Sequence, residues 1–157
     1  MRIAGIDPGL CITGYGIVEK KAHQLHLIDA GTIRNPVSFP LEKRLKRLFE
    51  NVDILFKDHK PDVVVVEEIY SNYKYPYTAV LMGHARGIIY LASAVNSIPV
   101  HSFKPTHVKK AATGNGHASK EQIAGAICSI FGIKRFKGFF DVTDALALTV
   151  AYEHRVR

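Results

Sequence analysis

Residues 63–68 read Val63-Val64-Val65-Val66-Glu67-Glu68. Four β-branched apolar residues in succession leave no face for water. The run therefore predicts a strand buried on both sides, as in the middle of a parallel sheet. Two glutamates stand directly at its end. A carboxylate at the C-terminal end of such a strand faces the crevice where open α/β sheets place their sites. Desolvating a charge there is costly without a partner, so the pair reads as a candidate site.

Working outward, the segments on either side complete a sheet. Arg2 to Asp7 is mostly apolar and ends at the turn Asp7-Pro8-Gly9. Thr13 to Glu19 is β-prone and punctuated by glycine, and His23 to Arg34 alternates around Leu25, Leu27 and Ile33. The short connections predict an antiparallel meander. From about Pro40 to Lys57, Leu41, Leu45, Leu48, Val52 and Leu55 recur at spacings of four and three, giving a helix with one core stripe. Lys43, Arg44, Lys46 and Arg47 fall largely off that stripe and read as a solvated face. Beyond the central strand come a tyrosine-rich loop, a helix at about Thr78–Asn96 and a short strand at Ile98–Phe103. Helical segments follow near Pro105–Thr113, Lys120–Phe131 and Asp141–Glu153. Ser119 with Gln122 three residues on forms a capping box that marks the start of the second of these. The order predicts an α/β fold: a mixed five-stranded sheet with helices on both faces, the ribonuclease H-like arrangement, as one domain over residues 1–157.

The 157-residue length suits one ordinary domain. A net charge of +7 favours a polyanionic partner. Cys11 and Cys128 form no CxxC or Cys/His pattern and read as reduced thiols of a cytoplasmic protein. The N-terminus looks like a first strand rather than a secretory leader. The apolar stretch Ile88–Val95 is too short for a bilayer, so no membrane is expected.

Each acid has an ordinary reading beside the chemical one. Asp7 alone is a turn aspartate. Asp141 alone is a helix N-cap, and Asp144 a first-turn acid favoured by the helix dipole. Together, one acid ends the first strand, one ends a buried central strand, and a pair three apart opens the last helix on one face. In a meander joined to a parallel extension these ends can converge. Four such carboxylates would raise one another's pKa values unless cations neutralised them. Oxygen-only ligands suit Mg²⁺ or Mn²⁺. Two such ions about 3.5–4 Å apart can activate water and stabilise the leaving oxygen of a phosphoryl displacement.

At this point the chain resembles a known family. GIDPGLCITGYG at 5–16, VVVEE at 64–68, GHARG at 83–87, VKKAATGNGHASK at 108–120 and DVTDALALT at 141–149 are similar, in order and spacing, to RuvC-type Holliday-junction resolvases. The resemblance implies metal ligands at Asp7, Glu67, Asp141 and Asp144, choosing Glu67 over Glu68. It implies a homodimer that nicks two opposite strands of a four-way junction, leaving 5′-phosphate and 3′-hydroxyl ends, with RuvA and RuvB as partners. One departure stands out: the loop YSNYKYPYT at 70–78 carries one extra residue, which puts Asn72 out of step with the family.

Tyr70, Tyr73, Tyr75 and Tyr77, interleaved with Lys74, are suited to stacking on splayed bases or to packing on one another as a turn. The resemblance selects Tyr70 as a DNA contact. Lys109, Lys110 and Lys120 flank Gly114-Asn115-Gly116-His117, a turn that lets backbone approach phosphate. Lys109 and Lys120 match family lysines near the scissile phosphate. Lys134, Arg135 and Lys137 form a second basic run. His84, His101 and His107 have no zinc-site spacing. From Ala79 to Val95 the helix is apolar nearly all round, which fits a central buried helix or a dimer face. The rival function is a non-catalytic junction-binding protein on the same fold. An actin-like ATPase would need a duplicated and far longer chain.

Overall fold

The computed structural model describes residues 1–22, 24–69, 76–134 and 140–155. Five strands, β1 (Arg2–Asp7), β2 (Ile12–Lys21), β3 (Gln24–Arg34), β4 (Val63–Glu67) and β5 (Val100–Phe103), form one sheet in the order β3-β2-β1-β4-β5. The meander β1–β2–β3 is antiparallel, and β4 and β5 extend it as parallel strands. Helices α1 (Leu41–His59), α2 (Pro76–Val95), α3 (Pro105–Thr113), α4 (Lys120–Phe131) and α5 (Phe140–Arg155) cover both faces.

Strand alternation sorts the core. Ile3 and Val18 join Val63 and Val65 in a cluster with α3, α4 and α5. Ala4, Ile6, Ile17, Val64 and Val66 pack on the opposite face against α1 and α2. Val63 to Val66 are all buried, as an unbroken β-branched run requires.

The α1 stripe buries Leu48, Val52 and Leu55 and adds Phe56, while Leu41 and Leu45 pack at its margin. Lys43, Lys46 and Arg47 are exposed, but Arg44 is not part of a solvated face. Its guanidinium turns inward, with Nη1 3.8 Å from Cys11 Sγ. The α2 helix starts two residues earlier than its sequence pattern suggests and carries Tyr77 in its first turn.

From Tyr77 to Val95, α2 is long and apolar enough to cross a bilayer by length and composition, more than the Ile88–Val95 stretch alone suggests. One side of it is core, through Ala85, Ile89 and Ala92. Its Arg86 bonds the Glu67 carbonyl at 3.2 Å and Ser102 Oγ at 2.8 Å. Its outer side exposes Val80 (54%), Leu91 (52%) and Val95 (59%).

Candidate active site

Register places the first two acids. Ile3 pairs with Val63 and Ile6 with Val66, and one step further Asp7 comes level with Glu67. Both continue the odd-numbered series of their strands, on the face where Ile3, Val63 and Val65 meet α5. Glu68 follows β4 as a loop residue, its N–H donating to the Phe103 carbonyl. Period-two geometry thus favours Glu67 over Glu68 as the partner of Asp7.

The other two acids arrive on α5, which lies directly on the sheet. A Cβ at Gly5 would run into the Ala145 carbonyl oxygen and the Thr149 side chain, and one at Gly14 into the Asp141 carbonyl oxygen. Only glycine permits this approach, and it brings the first turn of α5 beside the end of β1. Because α5 begins at Phe140, Asp141 stands within its first turn and is not the N-cap. From Val142 to Glu153 every residue except Asp144 is buried. The two aspartates are where this helix opens to the crevice.

The electrostatics follow. The Asp7 pKa is pushed up to about 7, first by burial and then by the charges of Asp144, Glu67 and Asp141; Lys120 opposes this. Glu67 is raised by burial and by Asp144, against the pull of Lys120 and Lys109. Asp144 is also raised, because burial outweighs its ion pair with Lys120, Nζ to Oδ2 at 3.3 Å. Asp144 in turn holds the Lys120 ammonium above its ordinary value. Lys120 is the first residue of α4, placed by the predicted capping box, in which Ser119 and Gln122 exchange bonds of 2.8 and 3.2 Å.

Four carboxylates that repel one another, supplied by oxygen alone, are the donor chemistry of a hard divalent cation. Among the described residues no three His, Cys, Asp or Glu side chains are already closed around an ion position. The charges of Asp144, Glu67 and Asp141 nevertheless all bear on Asp7. The donor set therefore fits such an ion.

Lys109 lies close enough to lower Glu67 and Asp144. The neighbouring Lys110 lines a separate cleft with Lys104, His107, His117 and His154. Tyr70, Tyr73, Lys74, Tyr75, Arg135 and Lys137 lie outside the described residues. Arg86 escaped the sequence reading as a functional residue. It braces the end of β4 through the Glu67 carbonyl and Ser102, and its only sequence signal was its place in GHARG.

Substitution of the two glutamates separates their roles. Glu67→Gln is expected to lower any metal-dependent cleavage at least about 10²-fold, and Glu68→Gln far less. Rates measured side by side at saturating Mg²⁺ check this, and the reverse order would reassign the site.

A mixed sheet with helices on both faces and an acid cluster across β1, β4 and α5 defines a ribonuclease H-like protein. The chain matches the family model described as crossover junction endodeoxyribonuclease RuvC over residues 3–152. It is 43% identical over 151 residues to the crossover junction endodeoxyribonuclease RuvC of Carboxydothermus hydrogenoformans, covering 96% of this chain and 94% of that protein. It is 40% identical over 148 residues to that of Rhodopirellula baltica, covering 94% and 83% respectively. Among solved structures, T. thermophilus RuvC in complex with Holliday junction substrate superposes with a TM-score of 0.88 at 31% identity, covering 100% of this chain and 95% of that one. The chain belongs to the RuvC family.

Proposed function

We propose that this protein resolves Holliday junctions as a metal-dependent endonuclease, a single nuclease domain over residues 1–157 that cuts DNA phosphodiester bonds in recombination and repair. The observation that carries the chemistry is the meeting of Asp7, Glu67, Asp141 and Asp144 at one end of the sheet, where each strengthens the need for a cation. These four are read as the metal ligands, with Mg²⁺ the expected ion, Mn²⁺ a substitute, and two ions per site. When bound, the ions supply Lewis-acid polarisation of the phosphate and a more acidic water.

The chain's own groups do the rest. The four carboxylates are partly buried at the end of the sheet and open to the crevice, where a phosphate can reach them. Lys120, held beside Asp144, keeps its proton and can donate it in a hydrogen bond to a non-bridging oxygen of the scissile phosphate. Lys109 adds positive potential at the same end and draws the backbone in. Tyr70 is assigned to stacking on a splayed base. The products are 5′-phosphate and 3′-hydroxyl ends. The setting is the cytoplasm, with the branch-migration proteins RuvA and RuvB as partners.

A four-way junction has two strands to cut, which a two-fold dimer serves with two symmetric sites. The apolar outer face of α2 is the surface that fits such a contact. Leu91→Lys is expected to convert dimer to monomer in sedimentation and to abolish paired incision. A variant that remains dimeric would place the interface elsewhere.

The deciding assay compares a mobile four-way junction with a linear duplex, each with and without Mg²⁺. Paired nicks are expected on the junction alone and only with the ion. Junction binding that Mg²⁺ never converts to cleavage would make this a non-catalytic junction-binding protein instead.

A further inference from the structure

The turn after Asp7 is anchored by an asparagine whose burial the acid cluster does not explain. Asn35 follows β3 and is 6% exposed. A polar side chain so deep is tolerated for the hydrogen bonds it makes. Its Nδ2 donates to the Leu10 carbonyl and to the Arg44 carbonyl of α1, each at 3.2 Å. Its backbone N–H donates to the Cys11 carbonyl at 2.9 Å, and Arg44 Nη1 reaches Cys11 Sγ at 3.8 Å. One residue thus ties the turn at 8–11 to α1 and to the end of β3.

The inner half of the turn closes on itself. Gly9 N–H donates to Thr13 Oγ1 at 3.2 Å, and that hydroxyl donates back to the Gly9 carbonyl at 2.7 Å. Thr13 therefore sets the shape of the turn, and Asn35 sets where it sits. Asp7 is the last residue of β1, paired with Gly14 on one side and followed directly by this turn. Asn35 Oδ1 and Arg44 Nε, an acceptor and a donor, are buried without a partner among the described residues. An amide that leaves its oxygen unpaired is a poor core filler. Both of its donor bonds instead serve the placement of segments around Asp7.

We infer that Asn35, backed by Arg44, is a positioning residue for Asp7: it holds the turn that aims the Asp7 carboxylate at the shared metal position. The inference rests on Asp7 being a ligand. Asn35→Asp is nearly isosteric but turns an acceptor toward two carbonyl oxygens, while Asn35→Ala removes both bonds without adding charge.

The test uses the full chain. It measures the Mn²⁺ concentration giving half of the metal-induced rise in Tm without DNA, the single-turnover rate of junction cleavage at saturating Mn²⁺ well below each Tm, and junction affinity without divalent ions. Both variants are expected to raise the Mn²⁺ midpoint about tenfold or more and to slow cleavage by about 10²-fold. Metal-free junction affinity should hold, and Asn35→Ser, which keeps one donor, should recover part of the loss. A variant with lowered metal-free Tm but a wild-type Mn²⁺ midpoint and rate would make Asn35 merely structural and overturn the inference. If Asn35→Asp does not fold, Asn35→Ala and Asn35→Ser decide on the same readouts. An Asp7→Asn control that keeps full metal stabilisation would instead sink the assignment of Asp7 as a ligand.

Discussion

Asp7→Asn is expected to bind a four-way junction at least as tightly as the unmodified protein and to cut it at least about 10³-fold more slowly, since one anionic ligand carries several kcal/mol of metal-dependent stabilisation. Binding survives because the change removes negative charge that faces phosphate. The same substitution should stabilise the metal-free fold, in a pH-dependent way. Asp7 has a folded pKa of about 7 against an ordinary value of 3.8. Below about pH 4 the carboxyl is protonated folded or unfolded and costs nothing. Between about pH 4 and 7 the unfolded chain releases the proton while the folded one keeps it, so the native state loses stability as pH rises. Above about pH 7 the penalty is complete, on the order of 4 kcal/mol, and the amide removes it. Thermal melts from pH 4 to 8 without divalent ions should show the gain of Asp7→Asn growing to about pH 7 and then levelling. Adding Mg²⁺ should narrow the gap by stabilising the native carboxylate. A gain that is constant with pH, or junction cleavage near the wild-type rate, would remove Asp7 from the site.

Gly14→Ala should be nearly as damaging, although residue 14 carries no side chain of its own. The added methyl would meet the Asp141 backbone carbonyl, which no side-chain rotation can clear, so the first turn of α5 must move off the sheet. Overpacking of this kind costs typically about 1–3 kcal/mol. A displacement near 1 Å of Asp141 and Asp144 relative to Asp7 is expected to cost about 10²-fold in rate. Denaturant melts and single-turnover cleavage measure the two effects separately. The loss of rate should persist at temperatures where the variant is fully folded. A variant that is destabilised but cuts normally when folded would show that α5 need not sit this close.

Much of the molecule was legible in the chain because its signals are local. The unbroken valine run, the stripe at Leu48, Val52 and Leu55, and the capping box at Ser119 and Gln122 depend on neighbours within one turn or one strand. All three appear in the fold. The same locality explains the misjudgements. The inward turn of Arg44 meets Cys11, thirty-three positions away, and α2 passes as bilayer-length only once its polar interruptions are counted into a single helix.

The sequence by itself determined which residue types were available for chemistry: four carboxylates at element ends, lysines beside a glycine turn, and no cysteine or histidine set for a softer metal. Only the tertiary structure decided how those carboxylates meet. Asp7 and Glu67 come level through a parallel register between strands sixty positions apart, and Asp141 joins them because Gly5 and Gly14 let α5 touch the sheet. Arg86 and Asn35 acquired their roles in the same way, each bonding backbone far from it in sequence. Such placements are set by packing between remote segments, and short-range periodicity carries no information about them.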